Sequence, residues 1–332
     1  MKENLRGTLL LDRQQISELA SFRDYFEAVE YAFRAQGNGE DLAQGLLHLD
    51  APLGEFHIKG GGLKLGQAYF AFKINGGFYS NAREHGLPNI LGTIVLCCGD
   101  TGFPLALMES GEITRQRTAA TAALAATLLA RKDSGTVTIC GCGTQGQAQL
   151  LAMKETLPLT KAFVFDADPS QQQRFVARNS RLGLELVPVD DLGAAVRQSD
   201  VCVTCTPARR PFLGREHVAP GTFIAAIGAD SPEKQELDPA LLASSTVVVD
   251  RLEQCEKVGE LHHAIESRLL TREAVHAELG EIVSGKKPGR ISDDEIIIFD
   301  STGTALQDVA ASAAVYHKAL AQSVGTHFNF WG

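Results

Sequence analysis

Six residues of this chain, Gly141-Cys142-Gly143-Thr144-Gln145-Gly146, follow directly on the strand-like run Thr136–Cys140 and open a helical pattern over Thr144–Glu155. Each glycine at that spacing has a physical task. The first permits a tight turn, the second lets the backbone approach a diphosphate, and the third lets the helix pack close to the strand. The helix start then offers N–H groups and a partial positive charge to the phosphates. The next strand-like run, Ala162–Phe165, ends in Asp166, 20 residues past Gly146 (166 − 146). A carboxylate there accepts hydrogen bonds from ribose hydroxyls and repels a 2′-phosphate, so the pattern favours NAD over NADP. Gly141, Gly143, Thr144, Gln145, Gly146 and Asp166 are the cofactor candidates.

A second set of candidates is ionisable. Lys73 stands inside the apolar run YFAFKINGGF, and an ammonium buried there must be paired. Asp230 follows the strand-like Thr222–Ile227, at the end where ligands of open α/β sheets lie. His57 and Lys59 alternate with Phe56 and Ile58, so they share one face of a strand and suit an anionic ligand. Arg117 and Thr118 stand where an Ala-rich helix, Thr118–Arg131, is expected to open, with Thr118 as a cap and phosphate contact. Arg115 competes with Arg117 as an anion partner, and Asn75, Thr206 and Ser301 are polar turn or strand-end candidates.

These residues need elements to position them. From Thr136 onward strands alternate with helices: Pro169–Ser180, Leu184–Val187, Leu192–Gln198, Val201–Cys205, Thr222–Ile227 and Thr246–Val249 continue the series. That alternation implies parallel crossovers and a doubly wound sheet. Before Arg115 the pattern differs. A helix over Arg23–Ala35 precedes glycine-separated strands at Glu55–Lys59, Ala68–Ile74 and Gly92–Cys98, with a Thr101-Gly102 hairpin turn, which reads as an antiparallel sheet. A last strand, Glu295–Phe299, precedes a helix over Leu306–Ala321.

The 332 residues correspond to about two domains, and 44% hydrophobic with 21% charged residues is ordinary for a soluble globular protein. The net charge of −9 disfavours nucleic acid and anionic membranes as partners. No apolar run reaches the ~18–20 residues of a membrane helix, and the N-terminus has no signal-peptide pattern. Seven cysteines, most within strand-like apolar runs, read as reduced buried thiols of a cytoplasmic protein. Cys140/Cys142 and Cys202/Cys205 do not converge as chelators, so no metal is expected. Ser110 and Ser301 lack a His/Asp arrangement for acyl transfer.

Taken in order, FKIN (72–75), GLP (86–88), GTI (92–94), TGFPLA (101–106), ITRQRTAA (113–120), the glycine turn, IGAD (227–230), KQEL (234–237) and STGTALQD (301–308) resemble the ornithine cyclodeaminase/mu-crystallin family. The resemblance implies a Rossmann-type domain plus an α+β substrate-binding and dimerisation domain. The expected division is residues 118–303 for the NAD-binding domain and 1–117 with 304–332 for the other, in a homodimer. It also implies chemistry that makes or consumes a C=N bond at an amino-acid α-carbon with a bound nicotinamide.

Such hydride transfer needs a cation for the substrate carboxylate and a proton donor or acceptor at nitrogen. By resemblance, Lys73 and Asp230 are the catalytic pair, with Asp230 as acid or base at nitrogen. Arg117 binds the carboxylate, assisted by His57, Lys59 and Asn75. Thr206 lies near the nicotinamide ribose and Ser301 near its amide. The cationic face at His57 and Lys59 suits ornithine poorly, because ornithine has a cationic tail. The expected activity is therefore an NAD(H)-dependent oxidoreductase on the C–N bond of a small amino or cyclic imino acid, of the Δ1-pyrroline-2-carboxylate reductase type. A cyclodeaminase with catalytic NAD, and a non-enzymic crystallin-like binding protein, are the alternatives.

Overall fold

The computed structural model describes residues 7–331 and forms two compact units, Met1–Arg117 with Thr304–Gly332 and Thr118–Gly303. Among the described residues no helix is long and apolar enough to cross a membrane.

The first unit is built on a seven-stranded sheet in the spatial order Thr326–Phe328, Thr8–Leu11, Pro104–Glu109, Ile90–Cys98, Gln67–Gly77, Gly54–Leu65, Gln44–Ala51. The last four form an antiparallel meander, as the glycine-separated pattern predicts. The sheet is not wholly antiparallel, because Thr8–Leu11 runs parallel to Pro104–Glu109. The helix Ala305–Gln322 covers one face, packing on the two strands that carry Lys59 and Lys73, and the helix Phe22–Asn38 packs against it.

Register decides which side chains share that covered face. Lys59 is directly opposite Lys73, and His57 is opposite Asn75. His48, on the outer strand, is opposite His57. Side chains alternate along a strand, so all five residues project from the face on which Ala305–Gln322 lies. The other face carries Leu47, Leu49, Phe56, Phe72 and Ile74, all exposed.

The second unit is an eight-stranded parallel sheet in the order Ala277–Glu278, Thr246–Val249, Ile297–Asp300, Phe223–Ala226, Val201–Thr204, Thr136–Cys140, Lys161–Phe165, Glu185–Pro188. Strand order reverses at Thr136–Cys140, flanked by Lys161–Phe165 on one side and Val201–Thr204 on the other. That reversal is the switch point at which ligands of doubly wound sheets bind. The central strands are rich in Val, Ile, Ala and Cys because both of their faces are covered.

The helix expected over Thr118–Arg131 starts earlier than its sequence pattern. The long helix runs over Ser110–Leu129 and does not begin at Thr118. Glu109 explains the earlier start: its carboxylate oxygens accept from the N–H groups of Gly111 at 2.7 Å and Glu112 at 2.8 Å. A carboxylate satisfies the orphan donors of a helix start and complements its positive end. Thr118 is therefore mid-helix and buried, and the cap assigned to it does not exist.

Candidate active site

In the first unit, four charged side chains meet in the interior. Lys73 Nζ stands 2.7 Å from Asp308 Oδ2, and Arg117 Nε donates to Asp308 Oδ1 at 3.0 Å. Arg117 Nη1 donates to Gln307 Oε1 at 2.8 Å. Lys73 is 2% exposed, Arg117 4%, Asp308 1% and Lys59 5%. Burial pushes the Lys73 ammonium down to about 7, and the neighbouring Arg117 and Lys59 push it the same way against the pull of Asp308. Burial alone would raise the Asp308 carboxyl, yet Lys73 and Arg117 hold it below its ordinary value. One carboxylate thus orients two cations of different geometry: a point-charge ammonium and a planar fork suited to a second carboxylate.

Arg115, the rival to Arg117, is engaged by Glu112 at 3.0 and 2.5 Å. Asn75 Oδ1 accepts from Ser110 Oγ at 2.6 Å. Gly92 makes that contact possible, since a Cβ there would stand 2.3 Å from the Asn75 oxygen. Further along the same face, His57 Nε2 lies 3.2 Å from Glu55 Oε1, and the His48 ring meets the His57 ring edge-on at 4.6 Å.

In the second unit, the cofactor candidates collect along the carboxyl edge of the parallel sheet. Gly141 has φ +104°, a conformation that favours glycine. A Cβ on Gly146 would fall 1.9 Å from the Gly141 carbonyl, so helix and turn approach as closely as only glycine allows. Gly143 caps the helix Thr144–Thr156 without a side-chain bond, and a Cβ there would meet nothing within 4 Å. Gln145 Oε1 is buried without a hydrogen-bond partner among the described residues. Asp166 Oδ2 accepts from the Cys142 N–H at 2.8 Å, which ties the acid after the second strand to the glycine turn. A helix start with no side-chain cap bond in open space, an orphaned amide oxygen and a tethered carboxylate fit the diphosphate and ribose of a dinucleotide.

The remaining residues lie on the same edge. Thr206 gives both its N–H and its hydroxyl to Glu236 Oε1, each at 2.7 Å. Ser301 is buried, and its hydroxyl donates to Asp250 Oδ2 at 3.2 Å, while the Gly303 N–H reaches the same oxygen at 2.7 Å. Asp230 is partly exposed and takes the Lys234 ammonium at 2.6 Å. It caps no helix, since residues 231–234 form a turn into the strand Gln235–Leu237.

Sequence reasoning assigned no role to Asp308, Glu236, Asp250 or Lys234. A signal for Asp308 exists: it is an acid within ALQDVAASAAV, an otherwise apolar helix, and it answers the lone lysine of YFAFKINGGF.

A switch-point glycine turn with an acid after the following strand defines a dinucleotide-binding α/β protein, here with a second unit that gathers buried cations on a sheet face. The chain belongs to the ornithine cyclodeaminase/mu-crystallin family, whose model matches residues 6–323. It is similar to an archaeal alanine dehydrogenase dimer with bound NAD, at 37% identity and TM-score 0.93 over 98% of this chain and 99% of that one. It is also similar to Thermococcus litoralis Δ1-pyrroline-2-carboxylate reductase in complex with NADH and L-proline, at 33% identity and TM-score 0.92 over 97% and 100% of the two chains. The iminosuccinate reductase of Paracoccus denitrificans is 35% identical over 327 residues, 95% of this chain and 99% of the relative. These relatives are enzymes that work on amino and imino acids.

Proposed function

We propose that this protein is an NAD(H)-dependent oxidoreductase that reduces the C=N bond of a small imino or cyclic imino acid, or oxidises the corresponding amino acid. The observation that carries this reading is the buried Lys73–Asp308–Arg117 cluster. Its two cations, held by one carboxylate, offer a substrate carboxylate both a point charge and a bidentate fork. The nicotinamide, when bound, supplies or accepts the hydride at the substrate α-carbon. Lys73 and Arg117 hold the carboxylate and so fix which face of the α-carbon is presented. Asp230 exchanges the proton at the substrate nitrogen, and its Lys234 partner orients it.

NAD is the cofactor. Asp166, tethered to the Cys142 N–H, places a carboxylate where an NADP 2′-phosphate would be repelled. Gly141, Gly143, Thr144, Gln145 and Gly146 receive the diphosphate, and Thr118 remains a mid-helix candidate without a capping role. Thr206 and Ser301 flank the nicotinamide end. The unit Thr118–Gly303 is the cofactor domain, and the other is the substrate and dimerisation domain. The exposed face carrying Leu47, Leu49, Phe56, Phe72 and Ile74 supports a homodimer, and the free cysteines support a reducing compartment such as the cytoplasm.

The test is NADH oxidation at 340 nm against Δ1-pyrroline-2-carboxylate, pyruvate with ammonia, and iminosuccinate, with Lys73→Ala and Asp230→Asn as controls. Loss of turnover in both variants supports the reading. Full activity in both overturns the site. Consumption of ornithine with no absorbance change would instead mark a cyclodeaminase.

A further inference from the structure

Glu236 lies on the short strand Gln235–Leu237, fully buried, and its two carboxylate oxygens face different loops. Oε1 accepts from the Thr206 N–H and hydroxyl, both at 2.7 Å. Oε2 accepts from the Gly228 N–H at 3.0 Å. Thr206 follows the strand Val201–Thr204, and Gly228 follows its parallel neighbour Phe223–Ala226. One side chain therefore cross-links two adjacent loops at the carboxyl edge.

Two close approaches show how tightly this region is set. A Cβ on Gly228 would stand 2.4 Å from the Thr206 carbonyl and 2.5 Å from the Glu236 carboxylate. A Cβ on Gly141, the first glycine of the phosphate turn, would stand 2.9 Å from the Cys205 carbonyl and 3.1 Å from Thr206 Cγ2. The loop that Glu236 grips thus packs on the turn at one side and on the segment leading to Asp230 at the other. Glu236 is itself fixed, because its N–H donates to Glu260 Oε1 at 2.7 Å.

We propose that Glu236 is a positioning residue for the nicotinamide end of the cofactor, acting through the Thr206 and Gly228 loops. The inference rests on the NAD reading above. Only a carboxylate offers an acceptor oxygen to each loop. A glutamine of the same shape turns an N–H₂ toward one backbone N–H, and a buried donor is left unsatisfied. The diphosphate is received at the glycine turn, which touches the Thr206 loop at Gly141 but has a separate tie to Asp166 and to the helix start. Disturbing Glu236 therefore affects the nicotinamide half more than the ADP-ribose half, whose turn keeps its own tie to Asp166.

The experiment compares NADH with ADP-ribose, which lacks the nicotinamide, by titration calorimetry on the full-length wild type, Glu236→Gln and Thr206→Val. Thr206→Val removes the hydroxyl donor and keeps the backbone N–H, so it perturbs the same tie more mildly. The expected result is an NADH affinity weakened about tenfold or more in E236Q, weakened less in T206V, with ADP-ribose affinity within about twofold of wild type. The kcat at saturating NADH should fall in the same order. Equal losses for both ligands, or no loss for either, overturn the positioning role while leaving the cofactor reading intact. If E236Q fails to fold, T206V decides: unchanged NADH affinity in T206V overturns the role. A wild-type protein that binds neither ligand overturns the cofactor reading and this inference together.

Discussion

Lys73 and Asp308 form an ion pair at 2.7 Å in the interior of one unit, the lysine from a mid-sheet strand and the aspartate from the first turn of the C-terminal helix. Asp308 also holds Arg117 through its other oxygen. Replacing Asp308 with asparagine removes the charge that two buried cations share. Breaking a buried pair from one side costs about 3–5 kcal/mol because the partner is left uncompensated. Asp308→Asn should therefore lower the urea midpoint markedly and reduce kcat/KM for the imino acid. A variant with wild-type stability and activity would remove Asp308 from the site.

The pH dependence follows from Lys73. Its ammonium is pushed from 10.5 down to about 7, chiefly by burial. Between about 7 and 10.5 the unfolded chain holds a proton that the folded chain has released, so this group makes stability rise with pH across that window. Below about 7 both states are protonated and the slope vanishes. Activity moves in the opposite direction, because a neutral lysine cannot hold a carboxylate. The kcat/KM profile should fall as pH rises through about 7, and Lys73→Arg, charged throughout, should flatten that limb. An alkaline limb unchanged in Lys73→Arg would assign it to another group.

Discrimination between cofactors rests on Asp166. Substituting Asp166→Ser removes the carboxylate that repels a 2′-phosphate and keeps a small hydroxyl at the turn. The ratio of kcat/KM for NADH to that for NADPH should drop at least tenfold, mostly through KM. A ratio unchanged in Asp166→Ser would place the discriminating group elsewhere.

Gly146 tests the phosphate turn by shape alone. A single methyl at this position would stand 1.9 Å from the Gly141 carbonyl, so Gly146→Ala must displace the helix Thr144–Thr156 from its strand. Overpacking of this kind costs about 1–3 kcal/mol. NADH affinity should fall with it, whereas Gly143→Ala, with nothing within 4 Å, should leave stability nearly unchanged. Equal thermal midpoints for the two variants would contradict the packing described.

Much of the second unit was readable from the chain, because parallel strands covered on both faces are short apolar runs and their turns carry glycine and aspartate. Thr246–Val249 was read to the residue, and the turn at 141–146 lies where strand order reverses. The first unit was less legible. Gln44–Ala51, an outer strand with three exposed leucines, lacks the alternation that marks a half-buried strand. The start of the long helix is hidden in the sequence because its first two turns, SGEITRQR, are largely polar and its cap, Glu109, precedes it in the strand Pro104–Glu109. The pairing of Lys73 with Asp308 is a tertiary contact across most of the chain, and no local pattern encodes it. What the sequence does carry is the need: a lysine and an aspartate, each alone in an apolar element, must find partners.

The same alternation that turns Lys59 and Lys73 inward turns apolar residues outward. On the opposite face, Leu49 pairs with Phe56 across two strands, while Phe72 and Ile74 flank Lys73 on the next, and all four are 39–47% exposed. A contiguous apolar sheet face of this kind is unfavourable in water and is suited to an isologous contact with a second copy. A single charge at its centre should be enough to disrupt that contact, since a carboxylate buried without a partner costs several kcal/mol. Phe72→Glu is thus expected to halve the mass seen by sedimentation equilibrium at micromolar concentration. Because Phe72 neighbours Lys73 on its strand, turnover should fall along with assembly, whereas Leu269→Glu, at an exposed leucine of the other unit, should change neither. A Phe72→Glu protein of unchanged mass would show that this face is not where two copies meet.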